Sequence, residues 1–454
     1  LDNLKLRVSY GEVGNDGINS SLWSQNWEAT SDKRYQGAVN GAFLPSYSLG
    51  ADMANKDLKW ETTITRNIGV DFGFFNSRLT GTIDAYWNTT KDLLMKTAIP
   101  GITGFTSTYA NVGQTSNKGI EFALQGVLVK TRDWNVTAGF NINFNRGKVD
   151  KLADNVTGLY GTEWATSSTF PKSDYVLKEG RPVGLVRGLT ADGFYTTDDF
   201  TYENGVYTLK EGVADVSSAV FPNYHLHNGM NERPAGQLAY PGMAKFKDLN
   251  DDGIINDDDV DVIGDMTPVH TGGFNINATY KNFDLGLYFN WSYGNEIYNV
   301  NKLAALYGYK EGAVYENKLS IVKDCYKIYD VVNGELVALT TPEQLNAANA
   351  NAKLPLAYSE NGYVSTLGIE DGSYLRLNTL TLGYTLPKSM LQKAGISNLR
   401  VYGSIYNVFT ITGYSGIDAE VSTSTSTKTY PQLGMDWGTY PRARSFVLGV
   451  NLSF

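Results

Sequence analysis

The chain has 454 residues, a net charge of −9 and a pI near 5.0, an acidic balance that argues against a surface following nucleic-acid phosphates. Aromatic residues make up 13% of the chain and charged residues 19%, which excludes a disordered, self-solvating polypeptide. The single cysteine, Cys325, cannot form an internal disulfide, and the sequence contains no CxxC pair of the kind that holds zinc.

The chain starts in a strand-like run, Leu4–Tyr10, with no initial Met and no secretory segment before it. We therefore expect it to be the C-terminal piece of a longer protein. No stretch approaches the roughly 18 to 20 apolar residues of a membrane helix. A membrane-spanning β-strand needs only about 9 to 11 residues of alternating polarity, so the sequence does not exclude a membrane protein built from β-strands.

Alternation of apolar and polar residues dominates the rest of the chain and predicts β-strands. Nine further strands follow from it: Thr62–Phe74, Leu79–Leu93, Lys118–Val129, Trp134–Arg146, Val269–Tyr280, Phe283–Tyr293, Ser373–Thr385, Leu399–Ile411 and Arg442–Phe454. Two weaker strands are predicted between Arg146 and Val269, namely Val183–Tyr195 and either Ala244–Asp248 or Gly205–Leu209. The total is about twelve.

Very short connections alternate with very long ones along this series of strands, as in outer-membrane barrels. The predicted fold is therefore all-β, a transmembrane antiparallel β-barrel with long extracellular loops. In such a barrel Phe140, Ile142 and Phe144 face lipid, and Asn141 and Asn143 face the interior. The other members of the predicted interior ladder are Asn145, Asn275 and Asn277.

Nine segments, in order along the chain, resemble barrel motifs of the SusC/RagA-type TonB-dependent outer-membrane transporters. They are Leu4–Asn15, Asn55–Thr62, Asn111–Gln114, Asn117–Glu121, Glu179–Gly184, Lys247–Gly253, Asp371–Leu377, Asn407–Thr412 and Tyr440–Arg444. No single segment is decisive, but the ordered set is specific.

The resemblance implies a non-enzymatic importer of large nutrients, either oligosaccharides or oligopeptides, in the bacterial outer membrane. It implies a 22-stranded barrel with an N-terminal plug, a SusD-like surface lipoprotein as lid, and energy supplied by TonB. On this basis residues 1–454 form the C-terminal portion of the barrel, without the plug and the TonB box. Val8 and Val447, in the first and last strands, are then expected to pair with strands outside this chain, or with each other only in a smaller barrel.

The segment Asp248–Asp259 has the spacing of a calcium-binding loop. Oxygen-bearing side chains fall at loop positions 1, 3, 5, 9 and 12, Gly253 allows a sharp turn at position 6, and position 7 offers a backbone carbonyl. The predicted Ca²⁺ ligands are Asp248, Asn250, Asp252, Ile254, Asn256 and Asp259. Aspartate at position 12, where EF-hands have glutamate, resembles a dockerin-type loop. An acidic turn that holds no metal is the alternative.

Other candidates are weaker. His225 and His227 could form a metal pair but lack a third ligand, and His270 heads a strand without a catalytic partner at a fixed spacing. Aromatic residues in the predicted outer loops could stack on sugars or hold peptides, or could pack between loops: Trp23, Trp27, Tyr35, Tyr47, Trp164, Tyr298, Tyr307, Tyr309, Tyr363 and Trp437. Two other functions stay open, a self-contained outer-membrane hydrolase and a secreted calcium-binding all-β adhesin.

Overall fold

A computed structural model describes residues 1–17, 22–25, 27–30, 37–44, 46–50, 52–154, 156–166, 169–220, 233–306, 318–357, 362–391, 395–423 and 432–454. The chain forms two compact units. The first unit comprises Leu1–Leu159, Lys178–Pro182 and Gly272–Leu285, and the second comprises Tyr160–Leu177, Val183–Thr271 and Gly286–Phe454. Within the described ranges, no helix is long and apolar enough to cross a membrane.

In the described residues, ten long strands, numbered β1 to β10, form the large sheet. The first unit contains β1 (Asn3–Asn15), β2 (Glu61–Phe74), β3 (Leu79–Ala98), β4 (Ser107–Lys130), β5 (Trp134–Lys151) and all but the first two residues of β6 (His270–Tyr280). Each is hydrogen-bonded to the next in chain order. The ladders of β1 to β5 are antiparallel. Their register places the apolar side chains of neighbouring strands on one face of the sheet and most of the polar side chains on the other.

The other four long strands, again neighbours in chain order, are β7 (Phe283–Tyr293), β8 (Tyr374–Thr385), β9 (Asn398–Thr412) and β10 (Ser445–Ser453), and they lie in the second unit except for the first three residues of β7. Val8 in β1 lies opposite Ile68, and Val447 in β10 lies opposite Ser404. Within the described residues each of these two strands has a sheet neighbour on one side only. Their pairing with strands outside the chain stays a prediction.

The remaining elements are short. The short strands are Trp27–Thr30, Gly37–Val39, Ala42–Leu44, Ser46–Leu49, Asp52–Met53, Leu159–Gly161, Thr169–Phe170, Tyr175–Leu177, Leu185–Leu189, Ala191–Phe194, Phe200–Glu203, Val206–Leu209, Asp215–Val216, Ala244–Phe246, Ile254–Ile255, Val260–Asp265, Glu296–Asn299, Tyr329–Val332, Glu335–Ala338, Gly362–Tyr363, Ile369–Asp371 and Met435–Asp436. The α-helices are α1 (Val300–Leu306), α2 (Pro342–Ala348) and α3 (Lys388–Leu391), and the 3₁₀ turns are Gly101–Thr103, Thr197–Asp199, Asp257–Asp259, Ser320–Asp324 and Thr366–Gly368.

The predicted middle pair of long strands is wrong. The segments Val183–Tyr195, Gly205–Leu209 and Ala244–Asp248 contain only short strands, and these belong to small separate sheets. β5 is instead followed directly by β6 in the ladder order, so the part of the chain that the structure describes has ten long strands where about twelve were expected. The intervening chain builds the apolar core of the second unit, centred on fully buried residues such as Tyr195, Tyr207 and Tyr240.

Candidate functional site

The first unit has a polar face, the side of its sheet that carries Arg7, Asp71 and Asp84. The Arg7 guanidinium donates to both carboxylates, with Nη2 2.9 Å from Asp71 Oδ1 and 2.8 Å from Asp84 Oδ2. Arg7 and Asp84 close over Gly69, where a β-carbon would collide with both side chains. One cation therefore ties three neighbouring strands together on this face, within a segment that carried the family resemblance.

Amide and hydroxyl groups continue the polar face across β3 to β6. The Tyr86 ring lies over Gly119, and its hydroxyl donates to Asn145 Oδ1 at 2.8 Å, two strands away. A cavity of about 450 Å³ opens beside this region; its lining includes Asn3, Asp71, Thr80, Thr82, Gln125, Asn141 and Asn275. The amide and hydroxyl groups of the lining include both hydrogen-bond donors and acceptors. The polar face can therefore contact water or polypeptide more favourably than apolar groups.

The opposite side of the same sheet, the apolar face, carries Phe72, Leu124 and Phe140 in one register row. Phe140 is 38% exposed and Phe144 is 44% exposed. These rings therefore do not lie in a dry core between two sheets, as they would in a soluble sandwich. Near the short turns, Trp134 and Tyr280 pack with ring centroids 4.4 Å apart, an aromatic pair of the type that occupies membrane interfaces.

The second unit contains a buried carboxylate that organises a loop. Asp174 is fully buried and accepts hydrogen bonds from the backbone N–H groups of Glu163, Trp164 and Ala165 at 2.8 to 3.0 Å. Burial raises the pKa of Asp174 above its usual value, and the three backbone donors oppose that rise in part. These three backbone amides thus hold the carboxylate in place.

A second buried charge cluster lies where β8 meets the chain after β9. Arg376 is 3% exposed; it donates to Asp418, and its Nη1 lies 2.8 Å from Glu420 Oε2. Arg442 completes an alternating set of two cations and two anions, with Nε 3.0 Å from Asp418 and Nη1 3.0 Å from Glu420. Sequence reasoning missed the cluster, although both arginines lie in segments that carried the family resemblance.

The predicted calcium loop closes on itself through hydrogen bonds. Asp248 Oδ2 accepts from Gly253 N at 2.7 Å, and the fully buried Asp259 accepts from the backbone N–H groups of Leu249 and Asn256. Asp252 Oδ1 accepts from Ile254 N at 2.8 Å. The structure therefore places the six predicted ligands in one hydrogen-bonded turn.

Two details of the loop bear on metal binding. The amide NH₂ groups of Asn250 and Asn256 donate to Asp252 and to the Ile254 carbonyl, so both amides would have to rotate to offer oxygen to a cation. Throughout the part of the chain that the structure describes, no group of three His, Cys, Asp or Glu side chains forms a metal-binding cluster. A site here would depend on amide and backbone oxygens as well as on carboxylates.

The other candidates have mixed outcomes. His270 Nδ1 accepts from Trp291 Nε1 at 3.1 Å, and its ring stacks on Tyr293 with centroids 5.0 Å apart. Burial raises the pKa of the Cys325 thiol to about 11, so the thiol stays protonated at neutral pH. Five candidates lie outside the described residues: Tyr35, His225, His227, Tyr307 and Tyr309.

The predicted aromatic surface is wrong in part. Tyr298 and Tyr363 are buried in the core of the second unit, and Trp164 packs against that core, so none of the three offers an open ring to a ligand. Trp23, Trp27, Tyr47 and Trp437 are exposed and keep that capacity. Loop position along the sequence does not separate the two groups, because a long loop can build its own core.

Comparison with known proteins places this arrangement in context. Residues 1–249 match the family model described as TonB dependent receptor-like, beta-barrel. The chain is 30% identical over 459 residues to TonB-dependent receptor P3 of Formosa agariphila, covering 99% of this chain and 39% of that protein. It is 28% identical to TonB-dependent receptor SusC of Bacteroides thetaiotaomicron, covering 100% of this chain and 38% of that protein.

Solved structures agree on the fold. The RagAB peptide importer in its 'closed-closed' state matches with a TM-score of 0.69 at 24% identity, covering 100% of this chain and 41% of that one. At this identity the likeness shows the fold alone, that of an outer-membrane barrel. The chain spans about two fifths of the length of the curated relatives it matches.

Proposed function

The chain belongs to the TonB-dependent receptor-like β-barrel family, and on that premise we propose that the complete protein is an active importer of large nutrients. The observation that carries the proposal is the family match over residues 1–249, supported by a sheet of sequential long strands with one polar and one exposed apolar face. The protein is an outer-membrane β-barrel protein. Its substrate class within this proposal is oligosaccharide or oligopeptide.

The proposal includes two partners and no catalytic chemistry. Similarity to SusC supports a SusD-like surface lipoprotein as lid and TonB as the source of energy. The cavity beside Asn141 and Asn275, whose lining includes amide and hydroxyl groups, supports a hydrated interior, which a plug or a passing substrate could fill. A barrel hydrolase and a secreted adhesin both receive less support, because the family consists of outer-membrane transporters.

Uptake should depend on energy as well as on the protein. In cells carrying the complete protein, we expect entry of fluorescently labelled oligosaccharides or peptides of the preferred class to stop on deletion of its gene. Entry should also stop on deletion of TonB with the barrel still present, because a plugged barrel conducts nothing without it. Uptake that survives loss of TonB would indicate a passive pore and contradict the proposal.

We also propose that the loop Asp248–Asp259 binds one Ca²⁺ ion in a structural role. Support comes from the loop spacing, from the hydrogen-bonded turn that contains its oxygen-bearing residues, and from the carboxylates of Asp251, Asp257 and Asp258 in the same turn, which repel one another unless a cation or solvent screens them. The alternation of short and long connections supports an extracellular position, near the proposed lid.

Calcium binding should require the first and fifth loop positions. Calorimetry on the complete protein should show one site, and Asp248→Ala or Asp252→Ala should weaken it by roughly tenfold or more, because each change removes a charged ligand. Asp192→Ala is the matched control, since Asp192 is an exposed aspartate outside the loop. Absence of calcium binding in the wild type, or equal binding in all variants, would favour the acidic turn without metal.

A further inference from the structure

One register row at the long-loop end of the first unit combines cations with aromatic rings. On five neighbouring strands it contains Tyr10, Arg66, Trp87, Lys118 and Arg146. Tyr10 lies opposite Arg66, Trp87 lies opposite Lys118, and Lys118 lies opposite Arg146. The Arg66 guanidinium reaches the Trp87 carbonyl, which joins the two halves of the row. We name these five residues the basic row.

The basic row lies at the boundary where the outward residues of the sheet change from apolar to mostly polar. On the short-turn side the next outward positions are Ile68, Ala85, Ile120 and Phe144, and Ile68, Ile120 and Phe144 are exposed. On the long-loop side they are Glu12, Ile64, Thr89, Ser116 and Lys148. On β3, β4 and β5 the row is thus the upper limit of the apolar surface.

The height of this apolar surface matches a bilayer. Trp134 marks its lower end in β5 and Arg146 its upper end, twelve residues further along the strand. At about 3.4 Å per residue and a strand tilt of about 40 to 45° this distance spans roughly 30 Å, the thickness of the hydrocarbon core. The basic row therefore lies at the level of lipid headgroups in the outer leaflet.

Charge at the row favours an anionic ligand. Arg66, Lys118 and Arg146 supply three cations, and Lys118 and Arg146 are exposed. Two outward acids lie beyond the row, Glu12, which accepts from the Tyr10 hydroxyl, and Asp150, which pairs with Lys148 at 3.1 Å, so the three cations of the row outnumber them. Guanidinium groups bind phosphate through paired N–H donors, and ammonium groups bind it as point charges.

We propose that the basic row binds the phosphate groups of an anionic lipid in the outer leaflet. The commitment to a lipid, rather than a soluble anion or a protein, rests on continuity with the lipid-facing surface and on the interfacial level of Tyr10 and Trp87. The lipid's acyl chains would cover Ile120 and Phe144 while its phosphates meet Lys118 and Arg146. This binding is independent of the import proposed above and would hold for any barrel with this surface.

The test uses the complete protein, purified in detergent and exposed to diphosphorylated lipid A, with the bound fraction read by native mass spectrometry. The double variant Lys118→Gln/Arg146→Gln should lower lipid affinity roughly 25-fold, about fivefold for each cation removed near the membrane surface. Lys5→Gln is the matched control, because Lys5 is an exposed cation of the same sheet on the polar face. Its lipid affinity should equal that of the wild type.

Two further arms separate the alternatives. Inorganic phosphate at millimolar concentration should not displace the lipid, whereas displacement would assign the row to soluble phosphate and overturn the lipid proposal. Equal lipid binding by wild type and double variant would overturn it as well. Unchanged heat-modifiable migration of the double variant on a gel will show that any loss of lipid comes from the row and not from unfolding.

Discussion

Replacement of Arg376 by alanine should lower the free energy of unfolding of the complete protein by about 3 to 5 kcal/mol. Arg376 and Asp418 are both almost fully buried, so removal of the guanidinium leaves a carboxylate in a low-dielectric site with Arg442 as its one remaining cationic partner. Glu420 loses one of its two cations in the same step. Urea titration in detergent micelles, followed by tryptophan fluorescence, measures the loss.

Arg442→Ala is the matched control for this cluster. Arg442 contacts the same two carboxylates, but its side chain is 46% exposed, so water replaces much of what the substitution removes. We expect a loss of about 1 kcal/mol or less. Equal effects of the two substitutions would mean that burial does not set the strength of the cluster, contrary to this account.

Replacement of Asp174 by alanine should release the loop at Glu163–Ala165. Three backbone N–H groups lose their acceptor at once, and each unsatisfied buried donor costs about 1 to 3 kcal/mol, so a total loss of about 3 kcal/mol or more is expected. Hydrogen exchange provides the direct readout, because the amides of Glu163, Trp164 and Ala165 should lose protection. Unchanged exchange at these three amides would show that the loop does not depend on Asp174.

The stabilising contribution of Asp174 should also depend on pH, and the direction of this dependence follows from its pKa. Because burial raises the pKa of Asp174 in the folded state, its contribution to stability is complete below the unfolded-state pKa and falls as pH rises through the folded-state pKa. Asp174→Asn removes this titration. The difference in unfolding free energy between wild type and Asp174→Asn should therefore shift against the wild type as pH rises, which urea titrations at a series of pH values can measure.

Sequence patterns predicted the strands well where lipid imposes the alternation. β2, β6 and β7 begin and end within one residue of their predicted limits. The alternation places the start of β4 at Lys118, because Ser116 and Gln114 stand where the pattern requires apolar residues on the outward side. The strand itself begins at Ser107. Above the lipid, hydrogen bonds to neighbouring strands continue the strand without an apolar requirement.

The candidate sites were less predictable, because they depend on contacts between distant segments. Asp248–Asp259 is a local pattern, and its compact turn follows from neighbouring residues. The cluster of Arg376 and Arg442 instead depends on a loop that returns Asp418 and Glu420 to the edge of β8 and β9. Spacing along the chain cannot show that return, just as it cannot separate the buried Tyr298 from the exposed Trp27.

The length of β4 has a consequence at the cell surface. Of its 24 residues, the eleven from Ser107 to Asn117 lie beyond the level of Lys118. At about 3.4 Å per residue and the usual tilt of barrel strands, they rise roughly 25 to 30 Å above the headgroups. In the proposed orientation, a molecule arriving from the medium therefore meets this β-sheet well before it meets lipid.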